Sequence, residues 1–198
     1  MGRNDFLDKL IPRAILAGVL IATADYIYIN ASNRTVAAFL FPLALICIMK
    51  SGAYLYTGKI GSVGMSLVGM ADMAMILLGN AIGLIILLLV PGSETFESFM
   101  VLKLTADLWS VFMKGFFCGA LMYLAVFYTD GGRNFLVTIM CVAAFLIGGC
   151  EHSIADLGYI YLSRMFTLEA LKFFLCVLAG NTVGSLTVRF LASLSGDI

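Results

Sequence analysis

The sequence predicts an all-α membrane protein with six transmembrane helices in two inverted repeats of three helices. Two observations on composition and one on segmentation support this prediction. Of the 198 residues, 62% are hydrophobic and only 12% are charged, and the mean hydropathy is +1.03. A soluble domain needs more charged residues to cover its surface. Six apolar segments also approach the about 20 residues that cross a hydrocarbon core.

The six predicted spans follow one another along a single transmembrane domain, 1–198. They lie near 12–29, 35–49, 68–90, 108–128, 134–149 and 168–194. Arg3, Lys9 and Arg13 precede the first span, and the excess of positive charge on cytoplasmic loops therefore favours a cytoplasmic N-terminus. An even number of spans returns the C-terminus to the same side.

An internal duplication is predicted from a pattern that occurs twice. Gly-Asn-Ala-Ile-Gly at 79–83 recurs as Gly-Asn-Thr-Val-Gly at 180–184, a shift of 101 positions, and the same shift carries Gly18 to Gly119. Because each copy has three spans, the second copy must insert with the opposite orientation. Repeat one covers about 9–90, the linker about 91–107 and repeat two about 108–194.

The second and fifth spans are predicted to be broken helices. The second ends in Lys50-Ser-Gly-Ala-Tyr-Leu-Tyr-Thr-Gly, and the fifth ends in Gly-Gly-Cys-Glu-His-Ser-Ile-Ala-Asp, which contains the single histidine, His152. Glycine clusters in matching places of two halves are typical of broken helices that line a substrate site. An ionisable side chain at this depth costs about 2.5–3.5 kcal/mol on insertion scales, so we predict that His152 faces a cavity or a pore.

Net charge and motifs argue against several classes of function. Lys plus Arg and Asp plus Glu each number 12, and the zero net charge argues against a nucleic-acid partner. The five cysteines are scattered without a Cys-x-x-Cys pair and are predicted to be small core residues. One histidine, no His-Glu-x-x-His motif and no nucleophile elbow argue against an enzyme, a metal site or a cofactor.

Four elements of the chain match a known set of motifs. The stretch 148–156 is similar to Gly-Phe-Glu-His-Ser-Ile-Ala-Asn, and 52–57 is similar to Gly-Ala-Asp-Leu-Phe-Thr. The stretch 114–125 follows Arg-Gly-Ile-x-Cys-Asn-x-Leu-Val-Cys-Leu-Ala, and two Gly-Asn-x-x-Gly elements follow in order. From about residue 9 onward, the chain therefore resembles a short member of the formate/nitrite transporter family.

The resemblance implies an aquaporin-like fold with a narrow pore in each protomer of a homopentamer. His152 would lie at the centre of the pore, with Thr57 of the first helix break opposite. Two apolar constrictions and a vestibule lysine are implied as well. They are Phe41 with Phe145, Leu45 with Tyr56, and Lys103.

Three of the departures from the family pattern affect the expected pore. Gly119 replaces an asparagine that approaches the central histidine in relatives, Tyr56 replaces a phenylalanine, and Lys50 stands where relatives are apolar. Lys50 either attracts anions or forms a structural ion pair with a carboxylate. The candidate partners for that ion pair are Asp25, Asp72 and Glu151.

Other residues are predicted to support the broken helices. Gly52 and Gly149 allow the turns, and the Glu151 carboxylate is expected to accept hydrogen bonds from backbone amides of the break. Asn80 and Asn181, beside the pathway, are expected to bond across helices or to the break backbone. Thr57 either caps the half-helix after the break, lines the pore, or does both.

The resemblance and the lone histidine together predict passage of a small monovalent weak-acid anion, with formate first, past His152. A bare anion faces an idealised desolvation cost of about 20 kcal/mol in a low-dielectric medium, and a histidine can give it a proton. The expected partners are the anion, protons and the lipid bilayer, and the expected location is the plasma (inner) membrane. The alternatives are nitrite, hydrosulfide, lactate or acetate as substrate, a neutral-solute channel, and a structural membrane protein.

Overall fold

The computed structural model describes residues 3–62, 67–129 and 134–195, and these ranges are largely helical. Positions 1–2, 63–66, 130–133 and 196–198 of the predicted domain lie outside the described residues. The helices of the described ranges are α1 (Arg3–Asn30), α2 (Arg34–Leu40), α3 (Pro42–Ser51), α4 (Tyr56–Lys59), α5 (Leu67–Leu84), a 3₁₀ helix (Ile85–Leu89), α6 (Glu94–Leu104), α7 (Leu108–Phe127), α8 (Phe135–Ile147), α9 (Ser153–Ser163) and α10 (Leu168–Ser195).

Five helical segments of the described ranges are long and apolar enough to cross a membrane. They are Asp8–Asn30, Arg34–Ser51, Val68–Leu89, Leu108–Phe127 and Leu168–Ser195. The fifth predicted span, 134–149, contains only the 13 residues of α8 as continuous helix, fewer than the about 20 that a hydrocarbon core requires. The chain turns at Gly148 and Gly149 and becomes helical again at Ser153, so this apolar length is divided between α8 and α9.

The helix of the second predicted span is interrupted after Ser51. Gly52 ends α3 in the left-handed region, at φ +67°, which glycine adopts without a steric penalty. Its N–H group bonds to the carbonyls of Ile48 and Met49. The next three residues are not helical, and α4 begins at Tyr56. The interruption coincides with the first break that the sequence predicts.

The helix of the fifth predicted span is interrupted in a similar way after Ile147. Gly149 has φ +66°, again in the left-handed region. His152 has extended backbone, with φ −114° and ψ 113°, and α9 begins directly after it at Ser153. Both breaks thus pass from a left-handed glycine, through a short non-helical segment, into a second helix.

Glycines bring α1 against α5 and α7 against α10. A Cβ atom on Gly18 would overlap the backbone oxygen of Asn80, and one on Gly119 would overlap the backbone oxygen of Asn181. Both pairs of positions differ by 101, so the repeated sequence makes equivalent contacts in the two halves. Close backbone approach at small residues is a common form of helix packing in membranes. The asparagine that the family pattern has at position 119 would therefore meet the α10 backbone in this packing.

The predicted linker, 91–107, contains the helix α6. Ser93 caps this helix, since its hydroxyl accepts a hydrogen bond from Phe96 N–H at 3.3 Å. Phe96 and Met100 are buried and hold α6 against the rest of the protein. α6 packs against α9, and its last turn carries Lys103. The connecting segment is therefore part of the wall of the site described below.

Gly119→Ala is expected to destabilise the crossing of α7 and α10. The added Cβ meets the backbone of Asn181, which no side-chain rotation can move, and overpacking of this kind costs about 1–3 kcal/mol. The apparent Tm of the purified protein in detergent should fall. Ala179→Val, an enlargement at an exposed position of α10, should leave it nearly unchanged. Equal Tm values for Gly119→Ala and the wild type would show that the crossing is loosely packed.

Candidate functional site

The Asn80 side chain of α5 satisfies backbone groups around the first break. Its Oδ1 accepts a hydrogen bond from Tyr56 N–H at 2.9 Å, and its Nδ2 donates to the carbonyls of Ala14 and Tyr54, both at 2.8 Å. Asn80 itself is completely buried. One carboxamide therefore joins α1, the break and α4, and it supplies partners that lipid cannot provide.

The Asn181 side chain of α10 has the same role at the second break. Its Oδ1 accepts a hydrogen bond from Ser153 N–H at 2.8 Å, and its Nδ2 donates to the carbonyls of Gly115 at 2.8 Å and Glu151 at 2.9 Å. Asn80 and Asn181 thus make three hydrogen bonds each, in which Oδ1 accepts from the first turn of the helix after the break and Nδ2 donates to two carbonyls. These bonds run across helices and to the break backbone, which is the role that the sequence suggests for both residues.

His152 lies at the second break with both ring nitrogens engaged. It caps α9, because its Nδ1 accepts a hydrogen bond from Ala155 N–H at 3.2 Å. Its Nε2 is 2.7 Å from Thr57 Oγ1, on α4 of the first break. The imidazole ring stacks on Phe145, with centroids 5.7 Å apart. Leu55, and not Thr57, occupies the N-cap of α4, so the Thr57 hydroxyl is used to join the two breaks at a buried contact.

The hydrogen bonds assign the tautomer of the His152 ring. Nδ1 accepts from a backbone amide, so the proton of a neutral imidazole is on Nε2, which donates to Thr57 Oγ1. A proton on Nδ1 would face the amide proton of Ala155 and break the helix cap, a loss of about 1 kcal/mol. The ring is therefore arranged to be neutral at rest.

Two cavities reach the helix breaks. Cavity A has a volume of about 220 Å³, and its wall includes Phe145, Glu151, His152, Lys103, Lys114, Asp156 and Tyr159. Cavity B has a volume of about 460 Å³, and its wall includes Arg13, Leu45, Lys50, Tyr54, Leu55, Gly58 and Lys59. Thr57 lies between Leu55 and Gly58 in the chain, so its contact with His152 joins the wall of cavity B to the wall of cavity A.

One of the two lysines of cavity A is paired with two carboxylates. Lys103 Nζ binds the Glu151 carboxylate and lies 2.9 Å from Asp156 Oδ1. It also lies 5.4 Å from the ring centroids of Phe99 and Tyr159. Burial alone would lower the pKa of the Lys103 ammonium, but Asp156 and Glu151 raise this pKa overall. One ammonium and two carboxylates leave this group with a net negative charge when all three are ionised.

The partners of Glu151 differ from those expected from the sequence. Its carboxylate binds Lys103 where backbone amides were expected, and only its backbone carbonyl serves the break, through Asn181. Asp156 is a further residue of the site that was not predicted from the sequence. Its separation from His152 by four residues could have identified it, because one helical turn brings such residues to the same face.

Cavity B is lined by basic side chains. Arg13 Nη1 donates to the Tyr54 hydroxyl at 3.0 Å, and the Arg13 and Lys59 cations lie 5.4 Å and 5.3 Å from the Tyr54 ring centroid. Lys50 lines the same cavity, with Nζ 5.0 Å from the ring centroid of Phe135. Arg13 and Lys59 were not predicted as site residues. Lys59 directly follows the first break in the sequence, whereas Arg13 is 41 residues away from Tyr54 and reaches the break only through the fold.

The four residues implied as apolar constrictions are all buried. Phe145 lines cavity A, and Leu45 lines cavity B. Phe41 packs edge to face on a tyrosine of α1, with centroids 6.1 Å apart. The Tyr56 hydroxyl is 3.0 Å from Thr182 Oγ1 of α10, so its additional polar group has a partner. Their role as constrictions stays a prediction.

Comparison with known proteins assigns the family. The family model described as formate/nitrite transporter matches residues 4–194. The chain belongs to the formate/nitrite transporter family. Together with the apolar helices, this membership makes it an integral membrane protein of a transporter family.

The curated relatives are similar at a moderate level. Formate-nitrite transporter 2 of Toxoplasma gondii is 26% identical over 235 aligned positions, which cover 97% of this chain and 48% of that protein. Nitrite transporter NirC of Escherichia coli is 27% identical over 194 positions, which cover 83% of this chain and 72% of that protein. The chain thus spans about half the length of the first of these relatives.

Two solved structures have the same all-helical fold. A chain titled FNT family ion channel superposes with a TM-score of 0.84 at 23% identity, covering 98% of this chain and 92% of that chain. A chain titled pentameric formate channel with formate bound superposes with a TM-score of 0.80 at 21% identity and covers 100% of both chains.

Asn181→Ala is expected to lower the free energy of unfolding by at least about 3 kcal/mol, because one backbone N–H and two carbonyls lose their partner in a buried site. The apparent Tm in detergent measures this loss. Asn30→Ala is the matched control, since Asn30 is exposed and makes one hydrogen bond to its own helix. Equal Tm values for the two variants would contradict the role assigned to Asn181.

Proposed function

We propose that this protein is a plasma-membrane channel or transporter for small monovalent weak-acid anions, with formate as the first candidate. The observation that carries the proposal is the buried contact of His152 with Thr57, which joins two helix breaks between cavity A and cavity B. Family membership supports a transport function. The names of similar proteins, a nitrite transporter and a formate channel, support an anionic substrate.

The proposed architecture is a single transmembrane domain of six spans, with the second and fifth broken, in two inverted repeats. Repeat one covers about 9–90 and repeat two about 108–194, and the segment 91–107 joins them. The matching hydrogen bonds of Asn80 and Asn181 support the repeat, as do the matching crossings at Gly18 and Gly119. Cytoplasmic N- and C-termini follow from six spans and from the basic residues before the first span.

Cavity B is the proposed mouth for anions on one side of the membrane. The cations of Arg13, Lys50 and Lys59 raise the local anion concentration there. Beyond this mouth, the apolar side chains of Leu45 and Phe145 exclude ions that keep their hydration shell. An anion can therefore pass only if other groups compensate for its lost water.

His152 compensates for the lost water by donating a hydrogen bond and then a proton. Nε2 carries the only proton of the neutral ring, so its transfer to an anion must accompany protonation of Nδ1, which breaks the bond with Ala155 N–H. The charge of the anion at short range in a low dielectric stabilises the imidazolium and offsets this loss. The neutral acid leaves with the Nε2 proton, and the ring remains as the tautomer protonated on Nδ1. The capped form returns when Nδ1 gives its proton to water and Nε2 takes one up from water, so that one proton moves with each anion.

A homopentamer in the lipid bilayer is the proposed assembly. The likeness in fold to a solved structure titled a pentameric formate channel supports it. The described helices also present large apolar side chains at their surface, including Leu89, Leu102 and Trp109, which are 82%, 73% and 70% exposed in one protomer. Lipid and neighbouring protomers would both be suited to such a surface.

His152→Asn is expected to abolish proton-assisted passage while preserving the fold, because asparagine is also a good N-cap for α9. In proteoliposomes, formate uptake driven by an inward proton gradient should fall at least about tenfold and lose its dependence on pH. Thr57→Ser, which keeps the hydroxyl, is the matched control and should retain uptake. Wild-type rates for His152→Asn at all pH values would remove His152 from the mechanism.

The remaining candidate substrates can be distinguished by how strongly each one inhibits the uptake of labelled formate. Nitrite and hydrosulfide should compete, whereas lactate and acetate should compete weakly, because the large side chains of Leu45 and Tyr56 favour a narrow passage. Equal competition by lactate and formate would contradict a narrow passage. Permeability to water or glycerol that does not change with pH would support a neutral-solute channel instead.

A further inference from the structure

Asp25 of α1 is a completely buried carboxyl group that the proposed transport path does not use. It is 0% exposed, and neither of its oxygens has a hydrogen-bond partner. It lies inside the span Asp8–Asn30, where an ionised side chain has no access to water. An unpaired carboxylate in such a place carries a desolvation penalty so large that the group takes up a proton instead.

The backbone of α9 is shaped to receive this carboxyl group. A Cβ atom on Gly158 would overlap Asp25 Oδ2 and would lie 3.1 Å from Asp25 Cγ and 3.3 Å from Leu84 Cδ2. Asp25 therefore packs directly on the α9 backbone at Gly158, between the positions of Asp156 and Tyr159. Both of these residues line cavity A, so Asp25 lies behind the wall of that cavity.

Other polar atoms of α9 also lack a partner. Asp156 Oδ1 binds Lys103, but Asp156 Oδ2 and the Tyr159 hydroxyl are buried and have no hydrogen-bond partner, like both oxygens of Asp25. The groups whose charge acts on Asp25 are Asp156 of α9 and Lys103 of α6, and the Tyr159 hydroxyl of α9 faces the Asp25 carboxyl group as a potential donor. Two further groups interact electrostatically with side chains of α9. Glu151 acts on Asp156 and Tyr159, and Tyr28 acts on Tyr159.

We infer that Asp25 and Asp156 form a proton-binding site behind cavity A, and that this proton sets the charge of the cavity. The ionised side chains in the wall of cavity A are Lys103, Lys114, Glu151 and Asp156, and their net charge is zero when Asp25 is neutral. Loss of the proton from Asp25 adds one uncompensated negative charge. Within the described residues, no group of three or more His, Cys, Asp or Glu side chains is arranged to hold a metal ion.

The consequence for transport rests on the proposed function. An anion in a small, poorly hydrated cavity is repelled by each negative charge in its wall. When the pair holds its proton, cavity A carries less negative charge and admits the anion to His152. When the pair loses the proton at alkaline pH, the cavity rejects the anion.

Infrared spectroscopy of the purified protein tests proton binding without any transport. The wild type at neutral pH should show the C=O stretching band of a protonated carboxyl group, with the small downshift that deuterium oxide causes, and Asp25→Asn should lack this band. Asp107→Asn is the matched control, because Asp107 is an exposed N-cap residue of α7 and should contribute nothing to the band.

Two outcomes of that experiment would overturn the site. One is a spectrum of Asp25→Asn that matches the wild type at neutral pH. The other is a wild type that lacks the band and gains thermal stability from sodium chloride but not from choline chloride, which would identify a cation as the occupant. Asp25→Ser is the second variant in case Asp25→Asn does not fold, and the band should be absent from it as well.

Anion flux tests the effect on the cavity. Asparagine at position 25 keeps the charge of the protonated wild type, so the rate of Asp25→Asn should equal the wild-type rate in mildly acidic buffer. The ratio of the two rates should rise about tenfold in alkaline buffer, where only the wild type gains a negative charge. A ratio that stays at one overturns the effect on flux even if the infrared band is present. Absence of formate flux in both proteins would contradict the proposed function and leave the infrared result standing.

Discussion

The structure depends on satisfying the backbone groups that two interrupted helices expose inside a membrane. Water is absent there, and each unpaired N–H or carbonyl group carries a penalty of several kcal/mol. One asparagine from α5 and one from α10 meet this need with three hydrogen bonds each. The same asparagines lie at glycine crossings, where close backbone approach puts the carboxamides within reach of the breaks. The close helix packing therefore also stabilises the helix breaks. Because the asparagines hold both breaks in place, His152 of one break can contact Thr57 of the other.

The two cavities differ in charge, although the halves of the chain are related in sequence. Cavity B is lined by three cations, whereas the two lysines of cavity A, Lys103 and Lys114, are balanced by the carboxylates of Glu151 and Asp156. On the proposed path, an anion is thus attracted more strongly on the cavity B side of the His152–Thr57 contact than on the cavity A side. The difference in charge between the cavities arises outside the repeated motifs. It comes from α6 and from Asp156, which occupies the position where the family signature has asparagine. The repeat provides the scaffold, and the residues that break its symmetry provide the electrostatics.

The local features of the site could be predicted from the sequence, and the long-range pairings could not. Short windows of the sequence contain the glycine clusters, the lone histidine and the repeated Gly-Asn-x-x-Gly pattern. The glycine clusters indicate where the helices are interrupted, and α3 and α8 do end at Ser51 and Ile147, just before the left-handed Gly52 and Gly149. The partners of Lys103 are 48 and 53 residues away and depend on the orientation of α6, a helix inside a stretch that looked like a linker. The role of position 119 also depends on helix packing, because only the crossing angle decides whether a small residue faces a pore or a neighbouring backbone.

One helix, α9, connects His152 with the carboxyl pair behind cavity A. His152 caps its N-terminus, Asp156 lies in its first turn, and Gly158 receives Asp25. A helix N-terminus favours negative charge and disfavours positive charge, so an imidazolium at the cap needs a nearby anion. When Asp25 holds the proton inferred above, the cavity itself offers less of that negative charge to the ring. In the proposed mechanism, the ring then gains a proton only when a substrate anion supplies the missing charge. This order of events would couple the proton to the anion, because the helix N-terminus disfavours a positive charge on His152 when no anion is present.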